Sequence, residues 1–340
     1  MGYLKFIARR LLISLVTILG IIIITFVLTR ALPGDPVWLR LPPKATLEDY
    51  YEEKARLGLD KPIFYQLLVY IADLFTGNWG FSLTVMRDND VWTLVVFYLP
   101  RSIELMFISM FIAIGLGIVF GKISARKVNS FWDYLIRFFM YLLLSIPGFV
   151  IIIFFVQLYV FSPFKIFPLY GYKSIYYPDP PLITGFPILD ALISGQMQLF
   201  VDLLWHMIIP LSTMTIVQMV AIIRQTRSSL LEILKMDFIR TAKAKGCSNK
   251  TIINKHALKN AIPPVITISA MGFPIIIGGM IAIEVAYHYV GIGYMFREAV
   301  RSYDYPVIVT LIFIFSVIVI TFNFIADLIV GFLDPRIRVE

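Results

Sequence analysis

One cysteine, Cys247, is all that 340 residues provide, which leaves no disulfide framework within the chain and no multi-cysteine metal site. Histidine is nearly as scarce. His206, His256 and His288 are too scattered for a bis-histidine haem pair or a zinc site. Charge is sparse as well: 15% of residues are Asp, Glu, Lys or Arg against 59% hydrophobic, with a mean hydropathy of +0.82. A soluble chain has no single core able to bury that much apolar side chain, so composition points to a polytopic membrane protein. The net charge of +8 would suggest nucleic acid or anionic lipid if it covered a surface. It is concentrated instead, and no nucleic-acid partner is expected.

Apolar runs of spanning length fall at about 11–29, 102–121, 135–161, 207–224, 264–288 and 306–330, which predicts six transmembrane helices in an all-α fold. The first run follows Lys5, Arg9 and Arg10 and lacks an Ala-x-Ala cleavage site, so it reads as a retained span. The connecting segments alternate in charge. Residues 1–10, 122–137 and 224–260 carry a net +13 between them, whereas 31–98 holds six basic and nine acidic side chains and 162–206 two and three. The positive-inside rule then predicts both termini in the cytoplasm of a multi-pass cell-membrane protein.

Three regions follow from this map. Residues 1–30 are a cytoplasmic N-terminus and first span, 31–98 a small extracellular helical module with a break at Gly58, and 99–340 a five-helix core with a cytoplasmic loop at 225–262. The Pro- and Tyr-rich 162–206 segment reads as an ordered outer loop. A simple spacer is the competing reading of both outer segments.

The 224–260 loop alone carries nine Lys/Arg against Glu232 and Asp237. Asp237 is expected to cap a helix in which Ile239 and Ala242 alternate with Arg240, Lys243 and Lys245. Gly246 is expected to end it in a left-handed conformation, and Ser248 to cap a second helix with Ile252, Ile253 and Ala257 on one side. Asn260 and Pro263-Pro264 are expected to stop that helix before the next span. A basic loop lying on lipid headgroups explains the charge. It does not explain the caps, the glycine at the bend or the small alanines, which suit close approach by another protein.

The run "DFIRTAKAKG" followed by "HALKNAIPPVIT" strongly resembles the cytoplasmic signature of ABC-importer permeases of the dipeptide/oligopeptide/nickel branch. "ARRLLISLVTILGIIIITFVLTRALPGDP" looks like that branch's first span and its exit. "GGMIAIEVAYHYVGIGYMF" looks like its fifth-span stretch, and "LDPRIR" like its C-terminus. The broader signature opens Glu-Ala-Ala, whereas Thr241-Ala242-Lys243 stands here, as is usual in the peptide branch. The resemblance implies a type I ABC-importer permease fold and alternating-access import of dipeptides or oligopeptides. Oligosaccharide cargo on the same machinery is an alternative. It implies partners too: a second homologous permease, two ATP-binding subunits, an extracellular solute-binding protein and membrane lipids. ATP and Mg would sit on the ATPase subunits, and this chain would bind no cofactor and be no enzyme. ATPase coupling would fall to Thr241, Ala242, Lys243, Ala244, Lys245, Gly246, Ser248, Asn249, Lys250, His256 and Asn260, with Ala244 to Lys255 seated in the ATPase.

A phosphate loop is only mimicked by "GLGIVFGKIS", because three residues rather than four separate Gly117 from Gly121; the pair reads better as a helix-packing face. Glu104 lies one turn after Arg101 and is expected to pair with it. Glu284, inside the fifth span, is read as a group facing a partner subunit or the pathway, with structural pairing as the competing account. Asp327 is expected to be solvated or paired with basic loop residues. Pro147-Gly148 breaks the third span, as a static kink or as a hinge. Pro147, Gly148 and Glu284 are therefore the candidate pathway or gate residues. An ion-coupled secondary carrier would want inverted repeats and midplane acids; no repeat is visible and Glu284 is the sole candidate acid.

Overall fold

A computed structural model describes residues 3–333 apart from 32–35, 43 and 164. Most of the Pro-Gly-Asp-Pro exit and of the C-terminal "LDPRIR" lies outside the described residues. Among the described residues the chain is helical, with one isolated antiparallel bridge between Phe81 and Asp90. In order the helices are α1 (Tyr3–Ala31), α2 (Pro36–Arg40), α3 (Leu47–Arg56), α4 (Ile63–Thr76), α5 (Val91–Arg126), α6 (Phe131–Ser145) and α7 (Gly148–Phe161). There follow α8 (Pro187–Ile193), α9 (Met197–Ile233), α10 (Asp237–Ala244), α11 (Asn249–Thr251), a π-helical turn (Ile252–Ala257), α12 (Leu258–Ala286), α13 (Ile292–Ser302) and α14 (Tyr305–Leu333).

Among the described residues five helices are long and apolar enough to cross a bilayer: α1, α5, α9, the continuous rod from Asn249 to Ala286, and α14. The sixth span is broken, α6 and α7 meeting at 106°. The cause is local. Ile146, held before a proline, is extended at φ −95° and ψ 124°, and Pro147 has no N–H to continue the helix.

At the centre, α5 packs along α9. A Cβ on Gly117 would lie 2.5 Å from Cγ2 of Ile222, and one on Gly121 2.6 Å from Cβ of Thr226 and 2.9 Å from the Ile223 carbonyl oxygen. The small face expected at this pair is thus where two spanning helices meet at backbone distance. Gly121→Val is expected to destabilise the fold by about 1–3 kcal/mol through overpacking, read as a lower unfolding midpoint in detergent.

The rod from Asn249 corrects one expectation. Pro263 and Pro264 do not separate a loop helix from the span but lie inside α12. Asn260 Nδ2 donates to the His256 carbonyl at 2.7 Å, beside the junction of the wider π turn with α12.

The basic face, its anchors and two buried carboxylate hubs

The basic segment folds back onto the bundle through small apolar feet. Ile239, Ala242, Ile252, Ala257 and Ala261 bury against Leu230 of α9 and Ala125 of α5, with Ile239 fully enclosed. Helix α10 begins differently from expectation: Met236 is its N-cap and Asp237 its first residue, the carboxylate pairing with Arg240 at 3.2 Å. It ends as expected. Gly246 takes φ +76°, its N–H donating to Lys243 O at 2.9 Å and that of Cys247 to Ala242 O at 3.2 Å, the paired bonds of a Schellman cap. Ser248 Oγ then accepts from Thr251 N–H at 3.3 Å and starts the rod.

This mooring sorts the expected coupling residues. Thr241, Lys243, Ala244, Lys245, Gly246, Ser248, Asn249, Lys250 and Asn260 are exposed. His256 is half-buried. Ala242 is buried against the chain's own bundle and anchors the segment there. The outward face is nearly all cationic or hydroxyl, with Lys255 and Asn254 continuing it along the rod. Lys122 of α5 reaches Asn254 Oδ1 at 3.4 Å.

Directly behind this face lies a carboxylate that sequence reading counted only as one acid among basic residues. Asp133 is fully enclosed, and its Oδ1 accepts from Ser124 Oγ at 2.5 Å and Arg227 Nε at 3.1 Å. Its Oδ2 accepts from Arg227 Nη2 at 3.3 Å and the Asn129 N–H at 3.0 Å. One side chain thereby ties α5, α6 and α9 together beneath the segment. A signal was present: Ser130 three residues before Asp133 marks a helix start, in a loop otherwise basic. Asp133→Ala is expected to cost about 2–4 kcal/mol, since it leaves the partly buried Arg227 without a counter-charge; a double-mutant cycle with Arg227→Ala checks it.

The opposite end of the bundle holds a second hub, around Glu284. It is fully enclosed and accepts from Ser102 Oγ at 2.5 Å and from the N–H groups of Gly293 and Tyr294 at 2.8 and 3.0 Å. Ser102 Oγ in turn accepts from the Ile292 N–H at 2.8 Å. The start of α13 thus presents its free donors to a carboxylate from α12 and a hydroxyl from α5. Both glycines of the "GIG" stretch are needed here: a Cβ on Gly291 would sit 2.5 Å from Glu284 Oε1, and one on Gly293 2.9 Å from Cα of Ile281. Every hydrogen bond recorded for Glu284 is made within the chain, to α5 and to the start of α13.

Arg101 and Glu104 do not pair. Arg101 lies between the rings of Phe97 and Tyr172, 4.0 Å from each centroid, and reaches Tyr172 Oη, the Val290 carbonyl and, at 3.7 Å, Asp179. Glu104 instead accepts from the Ile188 N–H at 3.2 Å. One helical turn brings two side chains to the same face, but the Pro-rich outer loop supplies each with a nearer partner. Asp327 pairs with Arg10 of α1 at 2.9 Å rather than with a loop.

Asp304, between α13 and α14, pins the 82–85 stretch: its Oδ2 accepts from Ser82 Oγ at 2.6 Å and from the N–H groups of Leu83, Thr84 and Val85 at 2.9–3.0 Å. Burial alone would raise its pKa, but these four donors outweigh burial and hold it below the ordinary carboxylate value. Its contribution is therefore present above about pH 4 and lost as pH falls through the lowered pKa. Limited proteolysis of the 82–90 stretch is expected to accelerate only under such acid conditions, and Asp304→Asn to abolish the dependence.

An apolar cavity of about 240 Å³ opens between α5, α7, α9 and α12. Gly148, Phe149, Met214, Gln218, Ile268 and Ile276 are among the side chains and backbone that line it. Of the three candidate gate residues Gly148 alone borders it, Pro147 standing at the N-cap of α7 and Glu284 elsewhere.

Residues 113–339 match the model of the binding-protein-dependent transport system inner membrane component, and residues 3–105 that of its N-terminal membrane component. The chain belongs to this family. The di/tripeptide transport system permease protein DppB of Pseudomonas aeruginosa is 34% identical over 98% of this chain and 99% of its own length. The oligopeptide transport system permease protein AppB of Bacillus subtilis is also 34% identical, over 98% and 99%. The dipeptide transport system permease protein DppB of Escherichia coli is 33% identical over the same shares. This family member is thus an ABC-importer permease subunit with a multi-span helical fold. The secondary-carrier alternative gains no support from any of these relatives.

Proposed function

We propose that this permease passes dipeptides or oligopeptides inward, as one of two homologous subunits driven by two ATP-binding partners. The observation that carries the reading is the moored basic face: a rigid cationic surface, anchored by Ile239, Ala242 and Ile252, standing directly on α5, α9 and the rod that becomes α12. A push on such a surface is transmitted to the helices lining the cavity, because packed cores shift between discrete arrangements rather than deform. Ala244 to Lys255 is the part seated in the ATPase, with Gly246 setting the bend. Nucleotide drives the cycle only through different affinities of the two states for it, and ATP and Mg reside on the partner subunits.

Peptide cargo is supported by the names of the related permeases. The orientation proposed puts both termini and the basic segment in the cytoplasm. It puts 31–98 and 162–206 on the outer side, where an extracellular solute-binding protein delivers cargo; the excess of Lys/Arg on alternate segments supports it. Proteoliposomes holding the full importer are expected to accumulate labelled dipeptides only with ATP inside and binding protein outside. Accumulation by this chain alone, with no nucleotide hydrolase present, would overturn the reading.

A further inference from the structure

Helix α4 has the wrong surface for a module standing in water. Ile63–Thr76 is apolar on nearly every side, with Gln66 and Asp73 forming one narrow polar edge. Leu67, Tyr70, Ile71 and Leu74 turn toward the bundle, Leu74 being buried. Phe64, Leu68 and Ala72, at the i, i+4, i+8 spacing of one stripe, face away from it, and Phe75 continues the stripe at its edge while its ring also reaches the bundle: Phe64 is 69%, Leu68 52% and Phe75 60% exposed.

Where α4 sits decides what meets that stripe. The Tyr70 ring lies 5.5 Å from Phe26 of α1, and the Phe75 ring 5.9 Å from Phe313 of α14. Near their other ends the same two spans are joined by the Arg10–Asp327 ion pair, a marker of the bilayer edge on the basic side. Sixteen residues separate Arg10 from Phe26 and fourteen separate Phe313 from Asp327, which at 1.5 Å per helical residue is about 24 and 21 Å. Both heights fall within a hydrocarbon core of about 30 Å. They are also nearly equal although Tyr70 and Phe75 are five residues apart, so α4 runs closer to the membrane plane than to its normal. Its 14 residues, about 21 Å long, are in any case too few to cross.

We propose that α4 is a monotopic membrane helix: it lies in the leaflet remote from the basic segment, packed sideways on α1 and α14, with the Phe64–Leu68–Ala72–Phe75 stripe in contact with lipid acyl chains. Its polar edge is consistent with that position. Gln66 Nε2 donates to the Lys61 carbonyl at 2.7 Å, and Asp73 accepts from Asn78 Nδ2 at 3.0 Å, so the edge is satisfied locally where the helix meets the headgroups. The inference depends on α1 and α14 being spans and not on what is transported or what powers it.

The sole cysteine makes the test direct. In the assembled importer in nanodiscs, Leu68→Cys on a Cys247→Ser background is labelled with an environment-sensitive fluorophore. Signal from a Cys247→Ser preparation corrects for cysteines of other subunits. Glu52→Cys, on the exposed face of α3, is the aqueous reference. Lipids carrying a nitroxide on the acyl chain are expected to quench the Leu68 label about twofold or more, while iodide quenches it several-fold less than the reference. Strong iodide quenching without nitroxide quenching would show a water-facing helix and overturn the proposal. Protection from both quenchers would show a protein partner over the stripe and overturn it equally. Phe64→Cys repeats the measurement should Leu68→Cys fail to assemble.

Discussion

Reversing three exposed lysines together, Lys243→Glu, Lys245→Glu and Lys250→Glu, is expected to abolish copurification of the ATP-binding subunits and to cut ATP-driven uptake about 100-fold or more. Whatever surface docks on a segment of net +7 must complement it, and placing like charges across an interface costs several kcal/mol, where each 1.4 kcal/mol is tenfold in affinity. The three side chains are exposed and form no salt bridge among the described residues, so their reversal leaves the membrane bundle intact. The unfolding midpoint of the isolated chain in detergent should stay within about a degree or two of the parent, as surface substitutions do. Ile239→Ala provides the contrast. It opens a cavity beneath the same segment and is expected to lower the midpoint through loss of about 2–4 kcal/mol, weakening coupling by unseating the surface rather than by changing its charge. Retained ATPase binding by the triple reversal would mean that the partner seats elsewhere.

Glu284→Ala is expected to be the most damaging single substitution in the membrane core, at about 3–5 kcal/mol. It strands the N–H groups of Gly293 and Tyr294 and the Ser102 hydroxyl in a dry interior, and an unsatisfied buried donor costs about 1–3 kcal/mol. Glu284→Gln keeps one acceptor oxygen for the start of α13 but replaces the oxygen that accepts from the Ser102 hydroxyl with an amide donor, leaving that O–H without its acceptor; about 1–2 kcal/mol is expected. Thermal unfolding of both variants in detergent checks the order. A Glu284→Ala chain as stable as the parent, yet inactive in transport, would return this carboxylate to the pathway.

Much of the site was legible along the chain. Gly246 and Ser248 speak through backbone rules that act over three or four residues, and both hold in the structure as the cap and the start expected of them. Asp237 fails by one position because Met236 takes the cap, and helix starts are set by backbone geometry that a one-residue shift leaves almost unchanged in sequence. The buried carboxylates were harder. Arg101 and Glu104 share a helical face, and only the outer loop's return brings Asp179 to one and the Ile188 N–H to the other. Asp133 looked like a minor term in a loop's charge count until Arg227, ninety-four residues later, closed on it.

By sequence alone this protein was committed to a membrane, to six apolar crossings, to a basic segment with a glycine bend and to its family, since hydropathy, charge asymmetry and capping are properties of short stretches in a given solvent. Tertiary packing alone decided which side of that segment faces outward, that Pro263 and Pro264 continue a helix, that Glu284 is enclosed, and that α4 rests against two spans. Those outcomes turn on distances between residues far apart in the chain, and such distances exist only once the helices have found one another.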